Sequence, residues 1–181
     1  MDEMIKVAVD DMGGDNAPGE IVKGAVEAVL ERNNIKVFLV GKKEAIEAEL
    51  FKYQIPSERV EVIDAREEIS CDEAPVMAIR KKKDSSMVIA LNLVKEGKAD
   101  AFVSAGSSGA VLVGGQLIVG RIKGIERAPL ATLMPNKKGV SLLIDCGANV
   151  MQERVIYCNL QKWVLSIWNT LLELKIQGLQ L

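Results

Sequence analysis

Histidine is absent from this chain of 181 residues, and its absence restricts the chemistry that the chain can perform. Without an imidazole, neither a Ser-His-Asp nor a Cys-His nucleophile can be assembled from the sequence as given. The remaining polar groups are carboxylates, lysines, arginines, hydroxyls and backbone dipoles. Any catalysis by the chain must therefore use those groups.

Cysteine is scarce as well, since Cys71, Cys146 and Cys158 are widely spaced and no Cys-x-x-Cys occurs. An odd number of unpaired cysteines favours a reducing cytoplasm over a disulfide scaffold or a zinc site. No metal site is predicted. The stretch Met1–Lys6 is acidic and is followed by no apolar core, so no signal peptide is predicted.

Aromatic residues make up 4% of the chain, and a long apolar run is also missing. No run reaches the roughly 18 residues that a membrane span needs. The net charge of −2 gives no support for nucleic-acid binding, which favours a basic face. What remains is an ordinary composition for an α/β domain, with 49% hydrophobic and 27% charged residues.

Strand-like and helix-like segments alternate along the chain. The sequence predicts strands at 4–10, 35–40, 59–63, 99–104 and 140–145, and helices at 19–32, 42–53, 74–82, 85–96 and 107–120. This alternation predicts a three-layer α/β/α, doubly wound, mainly parallel sheet of Rossmann-like type.

Polar, glycine-containing clusters follow three of the predicted strands: Asp10–Asp15, Ser104–Gly109 and Asp145–Asn149. Ligands of such sheets lie beyond the carboxyl ends of the strands. We therefore expect the three clusters to gather at one edge. In the first, Gly13 and Gly14 would let backbone approach a ligand closely, although a plain strand-to-helix turn is the alternative.

The cluster Ser104–Gly109 is the best candidate for a phosphate site. It leaves a strand and opens a helix whose first N–H groups favour an anion, and Ser107 and Ser108 add hydroxyls. The alternative is a capped helix start with Ser107 as the N-cap. The basic run Arg80–Lys83 could hold phosphate or meet an acidic partner, but a solvated face is the competing interpretation.

The clusters belong to a longer ordered series of motifs. These are Val9-Asp10, Met12–Pro18, Glu73–Pro75, Ile79–Met87, Ser104–Ala110, Gly120–Arg127 and Asp145–Asn149. The series resembles the N-terminal half of the bacterial phosphate acyltransferases, over residues 4–150. The sequence departs from the usual family pattern at Ser107 and Ser108, which replace Asn and Thr, and at Asp11, which replaces Ala.

The resemblance implies an enzyme that transfers a fatty acyl group from acyl carrier protein to inorganic phosphate. The acyl phosphate formed would feed phospholipid synthesis. It also implies a homodimer, cytoplasmic and peripherally associated with the membrane through a partner acyltransferase, with no cofactor. The alternatives are an acetyl-phosphate or coenzyme A transferase on a related fold, and a non-catalytic fragment that acts only as a binding module.

The residues expected to form the site fall into two groups. The catalytic candidates are Asp10, Asp15, Lys82 and Asp145, although carboxylates at such positions are often structural turn residues. The candidates for binding phosphate and substrate are Gly13, Gly14, Asn16, Arg80, Lys81, Ser86, Ser104, Gly106, Ser107, Ser108, Gly109 and Asn149.

Residues 151–181 do not resemble the family, so the sequence is divided into an acyltransferase part, 1–150, and this tail. Leu160, Trp163, Val164, Ile167 and Trp168 have the spacing of an amphipathic helix that could cover an exposed sheet or lie on a membrane surface. If one base is restored at the Val150–Met151 junction and permitted codons are chosen for the tail, the shifted frame can read as a family-like continuation. We therefore hypothesise that the tail is a frameshift product, which sequencing the DNA at codons 150 and 151 would decide.

Overall fold

The computed structural model describes residues 4–121, 123, 128–137 and 139–146. The chain divides into two compact units, one up to Gly120 and one from Arg121 onward. We describe each unit by itself. The expected change of character at Val150 and the predicted helix in 151–181 lie outside the described residues.

The first unit is built on four parallel strands. They are β1 (Ile5–Asp10), β2 (Ile35–Gly41), β3 (Val60–Asp64) and β4 (Ala101–Ser104), and they lie in the order β3-β2-β1-β4. Asp10, the last residue of β1, is in register with Val40 of β2 and with Ser104 of β4. The carboxyl ends of the three strands therefore meet at one edge.

The first unit has four α-helices between these strands and a fifth after β4. They are α1 (Gly19–Glu31), α2 (Lys43–Leu50), α3 (Pro75–Lys81), α4 (Ser86–Lys95) and α5 (Ser108–Gly114). A short 3-10 turn, Ser57–Arg59, precedes β3. The helices α1 and α2 pack on one face of the sheet, whereas α4 packs on the other. The predicted three-layer α/β/α architecture with a parallel sheet is confirmed.

Alternation of side chains along the strands separates the two apolar layers. On one face Val9 and Leu39 pack with Val26 of α1 and Ile46 of α2. On the opposite face the sheet packs against α4, through Ala8, Phe38, Val40, Ala90 and Leu93. Because Asp10 lies two residues after Ala8, its side chain points to the same face as α4.

The end of α1 is stabilised by a distant side chain. The last carbonyls of a helix have no partner within the helix. The guanidinium of Arg59 donates to the carbonyl oxygens of Val29, at 2.6 Å, and Arg32, at 2.8 Å. Arg59 thus ties the segment before β3 to the end of α1.

The predicted helix 107–120 is interrupted in the structure. Its α-helical part ends at Gly114, and Gly115–Val119 form a π-helical turn that closes with a hydrogen bond from Gly120 N to the Gly115 carbonyl. Adjacent glycines have low helix propensity, which favours a change of helix type at this point. The predicted helix 42–53 likewise ends earlier, at Leu50.

The second unit contains two antiparallel strands, β5 (Ala131–Asn136) and β6 (Gly139–Ile144). The expectation that 140–145 continues the parallel sheet is wrong, because this segment pairs with β5 in a separate two-stranded sheet. The strand β5 was not predicted from the sequence, since Pro135 is atypical of a strand interior. Only positions 137 and 138 lie between the two strands. A connection of this length is typical of a β-hairpin.

Within the described residues, none of the helices is both long enough and apolar enough to cross a membrane.

Candidate functional site

The carboxylate of Asp10 lies at the centre of the candidate site. Its Oδ1 accepts a hydrogen bond from the Ser86 hydroxyl at 2.5 Å, and its Oδ2 accepts one from the Ser104 hydroxyl at 2.7 Å. Asp10 is only 2% exposed. Three elements meet here because β1 ends beside the end of β4, and α4 begins above the face to which Asp10 points.

The loop after β1 approaches this network closely at Gly13. A Cβ atom built on Gly13 would lie 2.7 Å from Asp10 Oδ2, 2.8 Å from Gly106 N and 2.9 Å from Ser104 Oγ. Ser104 Oγ also accepts a hydrogen bond from Gly106 N at 3.0 Å. The two loops at the ends of β1 and β4 therefore touch through backbone, and only glycine fits at position 13.

Glycine is favoured at position 14 for a different reason, the backbone conformation. Its φ of 102° lies in the left-handed region, which side chains disfavour, and a built Cβ would lie 3.2 Å from the Ala105 carbonyl oxygen. The following residues Asp15 and Asn16 are exposed. Their side chains make no hydrogen bond or ion pair within the described residues, so the loop presents two unengaged polar groups beside the Asp10 network.

The start of α5 gives its two serines different environments. The Ser107 hydroxyl accepts a hydrogen bond from Ala110 N at 3.3 Å, so Ser107 is the N-cap of the helix. It is buried, whereas Ser108 is exposed. A Cβ on Gly109 would lie 2.9 Å from Cγ of Pro75, which places the start of α3 against this turn.

The basic run on α3 is not a uniform cluster. The Lys82 ammonium donates to Oε1 of Glu73 at 2.6 Å and to the carbonyl oxygen of Glu68 at 2.8 Å. The hydrogen bond from Lys82 lowers the pKa of Glu73, aided by the Ser70 backbone N–H. Arg80 and Lys81 are exposed, and their side chains have no ion-pair partner in the described part of the chain. They are therefore available to an acidic or phosphate-bearing partner.

Asp11 is the residue that sequence reasoning missed. It is completely buried, and neither carboxylate oxygen has a hydrogen-bond partner among the described residues. Burial raises its pKa to about 8, with further contributions from the charges of Asp10 and Glu49. An acid that directly continues an apolar strand is the sequence signal for such a group. Asp11 therefore carries a proton at neutral pH and is an internal, uncharged member of the turn.

Two predicted site residues are not part of the described first unit. Asp145 lies in the second unit, where its Oδ1 accepts a hydrogen bond from Leu130 N at 3.0 Å. Asn149 lies outside the described residues. The structure thus brings together candidates from two of the three expected clusters, together with Ser86.

The arrangement supplies a rigid polar wall. The buried hydroxyl of Ser86 and the half-buried hydroxyl of Ser104 are oriented by Asp10, and the backbone of the Gly13 loop lies against Gly106. Preorganised groups of this kind can position a substrate without reorganising during a reaction. Exposed Ser108 and Asn16 are adjacent in sequence to this wall and offer a hydroxyl and an amide.

Comparison with known proteins gives a consistent result. Residues 5–155 match a family model described as fatty acid synthesis protein. The chain is 58% identical over 144 residues to a phosphate acyltransferase from Clostridium kluyveri, which covers 80% of this chain and 43% of that protein. It is 55% identical over 145 residues to a phosphate acyltransferase from Alkaliphilus oremlandii, covering 80% and 43%.

Solved structures with the same fold include two phosphotransacetylases. One, from Streptococcus pyogenes, superposes with a TM-score of 0.58 at 22% identity, over 82% of this chain and 49% of that chain. The EutD phosphotransacetylase from Staphylococcus aureus has a TM-score of 0.58 at 18% identity, over 83% and 48%. The chain spans less than half the length of all these proteins.

Proposed function

The chain belongs to the fatty acid synthesis protein family, and from this membership we propose that it forms the phosphate-binding part of a phosphate acyltransferase. The reaction is transfer of a fatty acyl group from acyl carrier protein to inorganic phosphate. The product is an acyl phosphate that is used in phospholipid synthesis.

The observation that carries the proposal is the contact between the loops that follow β1 and β4. Gly13 leaves no room for a side chain beside Asp10, Ser104 and Gly106, so backbone and hydroxyl groups form a fixed surface at the strand ends. That edge is where sheets of this class bind ligands. The Ser86 and Ser104 hydroxyls already donate to Asp10, so a phosphate at this surface would take its hydrogen bonds from the groups at the border, the Ser108 hydroxyl and the Asn16 amide.

The proposed reaction needs no protein nucleophile. A phosphate oxygen attacks the thioester carbonyl carbon, and a C–O bond forms. The C–S bond breaks as the negatively charged tetrahedral intermediate collapses. The carrier leaves as a thiolate, which takes up a proton. The protein positions the phosphate and stabilises the developing oxyanion, which suits a chain without histidine.

Exposed cations on α3 supply the proposed contact to the carrier. Arg80 and Lys81 are unpaired in the described part of the chain, so they can meet an acidic surface without first breaking an ion pair. Complementary charge chiefly raises the rate of encounter and fixes orientation. Lys82, by contrast, is held by Glu73 and is proposed to position the start of α3. A homodimer associated with the membrane through a partner acyltransferase completes the proposal.

The test is an acyl-phosphate assay with two proteins. One is the 181-residue chain, and the other is the same residues 1–146 joined to the second half of the Clostridium kluyveri relative. We expect the joined protein to form acyl phosphate, trapped as the hydroxamate, from acyl-(acyl carrier protein) and phosphate. Asp10→Asn in the joined protein should lower the rate at least about tenfold, since about 1.4 kcal/mol of lost positioning has that effect.

The alternatives give different results in the same assay. Turnover of acetyl coenzyme A in place of the acyl carrier would assign an acetyl-phosphate transferase. If the joined protein binds phosphate but turns over neither thioester, the chain is a non-catalytic binding module. Activity of the joined protein but not of the 181-residue chain would assign the chain a partial site.

A further inference from the structure

Asp11 is a buried acid that the proposed reaction does not use. Its side chain is completely buried, and neither carboxylate oxygen has a hydrogen-bond partner among the described residues. It follows β1 directly, and its backbone N–H donates to the carbonyl oxygen of Val40 at 2.9 Å. Because side chains alternate along a strand, Asp11 faces α1 and α2, opposite to Asp10. A charged carboxylate without donors is costly in such a place, so the folded protein holds Asp11 in its neutral form.

The charged groups around Asp11 favour the same neutral form. Asp10, the preceding residue, and Glu49 of α2 both oppose its ionisation. Oε2 of Glu49 reaches the start of α1, where it would lie 3.7 Å from a Cβ built on Gly19. The lysines of α1, of α2 and of the residues that flank α2 are each paired with an acid: Lys23 with Glu20, Lys42 with Glu68, Lys43 with Glu47 and Lys52 with Glu49. These described segments therefore leave no lysine to neutralise an ionised Asp11.

The backbone joins Asp11 to the contact between the loops that follow β1 and β4. The next residue, Met12, packs against the end of β2, since its Cγ would lie 2.9 Å from a Cβ built on Gly41. Gly13 then lies against Gly106, with its Cα 3.2 Å from a Cβ built on Gly106. Both contacts are tight, so the loop has no room to rearrange within the fold. Hydration of an ionised Asp11 would therefore move the loop away from the strand ends and separate Gly13 from Gly106.

We propose that Asp11 is a pH-sensitive switch for the loop after β1, Met12–Pro18. In its neutral form Asp11 keeps Gly13 against Gly106, and when its carboxyl O–H gives its proton to solvent the loop leaves that contact. Because burial raises the pKa of Asp11 to about 8, the change falls between neutral and mildly alkaline pH. The consequence for the site rests on the proposed function: the phosphate site is complete at neutral pH and is lost as the pH rises.

The first test follows carbon resonances of the 181-residue chain by NMR from about pH 6 to about pH 10. We expect the carboxyl carbon of Asp11 and the Cα carbons of Gly13 and Gly106 to shift together, with one midpoint at about pH 8. The step at the two glycines should be absent from Asp11→Asn, which has no proton to release. Glu27→Gln is the matched control and should retain the step, because Glu27 is an exposed acid of α1. The proposal is overturned if Asp11 is already ionised at about pH 6, or if its titration leaves both glycines unchanged.

The second test measures the phosphate affinity of the same proteins by calorimetry. If only the neutral form of Asp11 binds phosphate, the apparent affinity of the parent should fall about tenfold between about pH 7 and about pH 9, as the neutral fraction falls from about 90% to about 10%. Phosphate itself changes charge near neutral pH, so each affinity is divided by that of Asp11→Asn at the same pH.

Asp11→Ala replaces Asp11→Asn in both tests if circular dichroism shows that the amide variant does not fold. A ratio of affinities that stays constant with pH overturns the control of the site by Asp11. If none of the proteins binds phosphate at either pH, the proposed function fails instead, and the carbon resonances still decide whether Asp11 switches the loop.

Discussion

The hydroxyl of Ser104 donates to Oδ2 of Asp10 at 2.7 Å, and this bond joins the carboxyl ends of two neighbouring parallel strands. The other carboxylate oxygen is engaged by Ser86, at the start of α4. Asp10 is buried, so each of these hydrogen bonds is shielded from water. Loss of an acceptor from such a network costs more than the net strength of one hydrogen bond, because a buried donor is left unpaired.

Asp10→Asn should therefore destabilise the first unit. The amide keeps one acceptor oxygen and replaces the other with a donor, so the hydroxyl of Ser86 or Ser104 loses its partner. We expect a decrease of about 2 kcal/mol in the free energy of unfolding, measured with urea. Asp15→Asn, at an exposed acid in the same loop, is the control and should change it by less than about 0.5 kcal/mol. An unchanged midpoint for Asp10→Asn would contradict the structural role of the network.

Gly13→Ala and Gly24→Ala should have opposite effects on stability. At Gly13 the added methyl would lie within 2.9 Å of Asp10, Gly106 and Ser104, so the two loops must separate. We expect a loss of about 2 kcal/mol, in the range of other overpacked sites. At Gly24, in an open position of α1, the methyl meets nothing, and the better helix propensity should add about 0.5–1 kcal/mol. Thermal melting of both variants tests the pair, and a stable Gly13→Ala variant would show that the loops are not in contact.

Local pattern was sufficient to predict the first unit. Apolar runs marked β1 and β2, because strands of a parallel sheet are buried on both faces, and the helical spacing of Val22, Val26 and Val29 marked α1, because one stripe of that helix is buried. The gathering of Asp10 and Ser104 followed from the rule for strand ends. Nothing local, however, could predict that Ser86 bonds to Asp10, since the two are 76 residues apart and meet only through the packing of α4.

The sequence was less informative where tertiary context overrides local pattern. β6 is apolar like a buried parallel strand, but its partner is β5, in which Pro135 obscured the strand pattern. The clusters at Asp10 and Asp145 were expected at one edge because both follow a predicted parallel strand. Asp145, however, belongs to the second unit. Asp11 was identified from the sequence only as a departure from the family pattern, because its burial depends on packing around the end of β1.

The protonation of Asp11 should appear in the pH dependence of stability. Its pKa is raised from 3.8 to about 8 by burial, so between these values the folded state holds a proton that the unfolded state releases. Stability should therefore fall as pH rises from about 4 to about 8, by up to about 1.4 kcal/mol per pH unit from this group. Of the neighbouring charges, Asp10 and Glu49 both oppose its ionisation.

Asp11→Asn tests this directly by urea unfolding across the same pH range. The variant has no proton to release, so its stability should fall less steeply with pH and should exceed that of the parent by about 2 kcal/mol at pH 7. Asp15→Asn serves again as the control and should leave the slope unchanged, since Asp15 is exposed. Parallel pH profiles for Asp11→Asn and the parent would show that Asp11 is ionised in the folded protein.

The adjacent serines at the start of α5, Ser107 and Ser108, are expected to differ in role, the first in stability and the second in binding. Ser107 caps the helix and is buried, so Ser107→Ala should lower the free energy of unfolding by about 1 kcal/mol. Ser108 is exposed and caps nothing, so Ser108→Ala should change stability by less than about 0.5 kcal/mol.

If the Ser108 hydroxyl donates to phosphate, the same variant should weaken phosphate binding by about fivefold, equivalent to about 1 kcal/mol for one hydrogen bond. Calorimetric titration of phosphate into each 181-residue variant measures this effect, and unchanged affinity in Ser108→Ala would remove Ser108 from the site. A reversed pattern, in which Ser107→Ala weakens phosphate binding and Ser108→Ala does not, would place the phosphate beside Ser107.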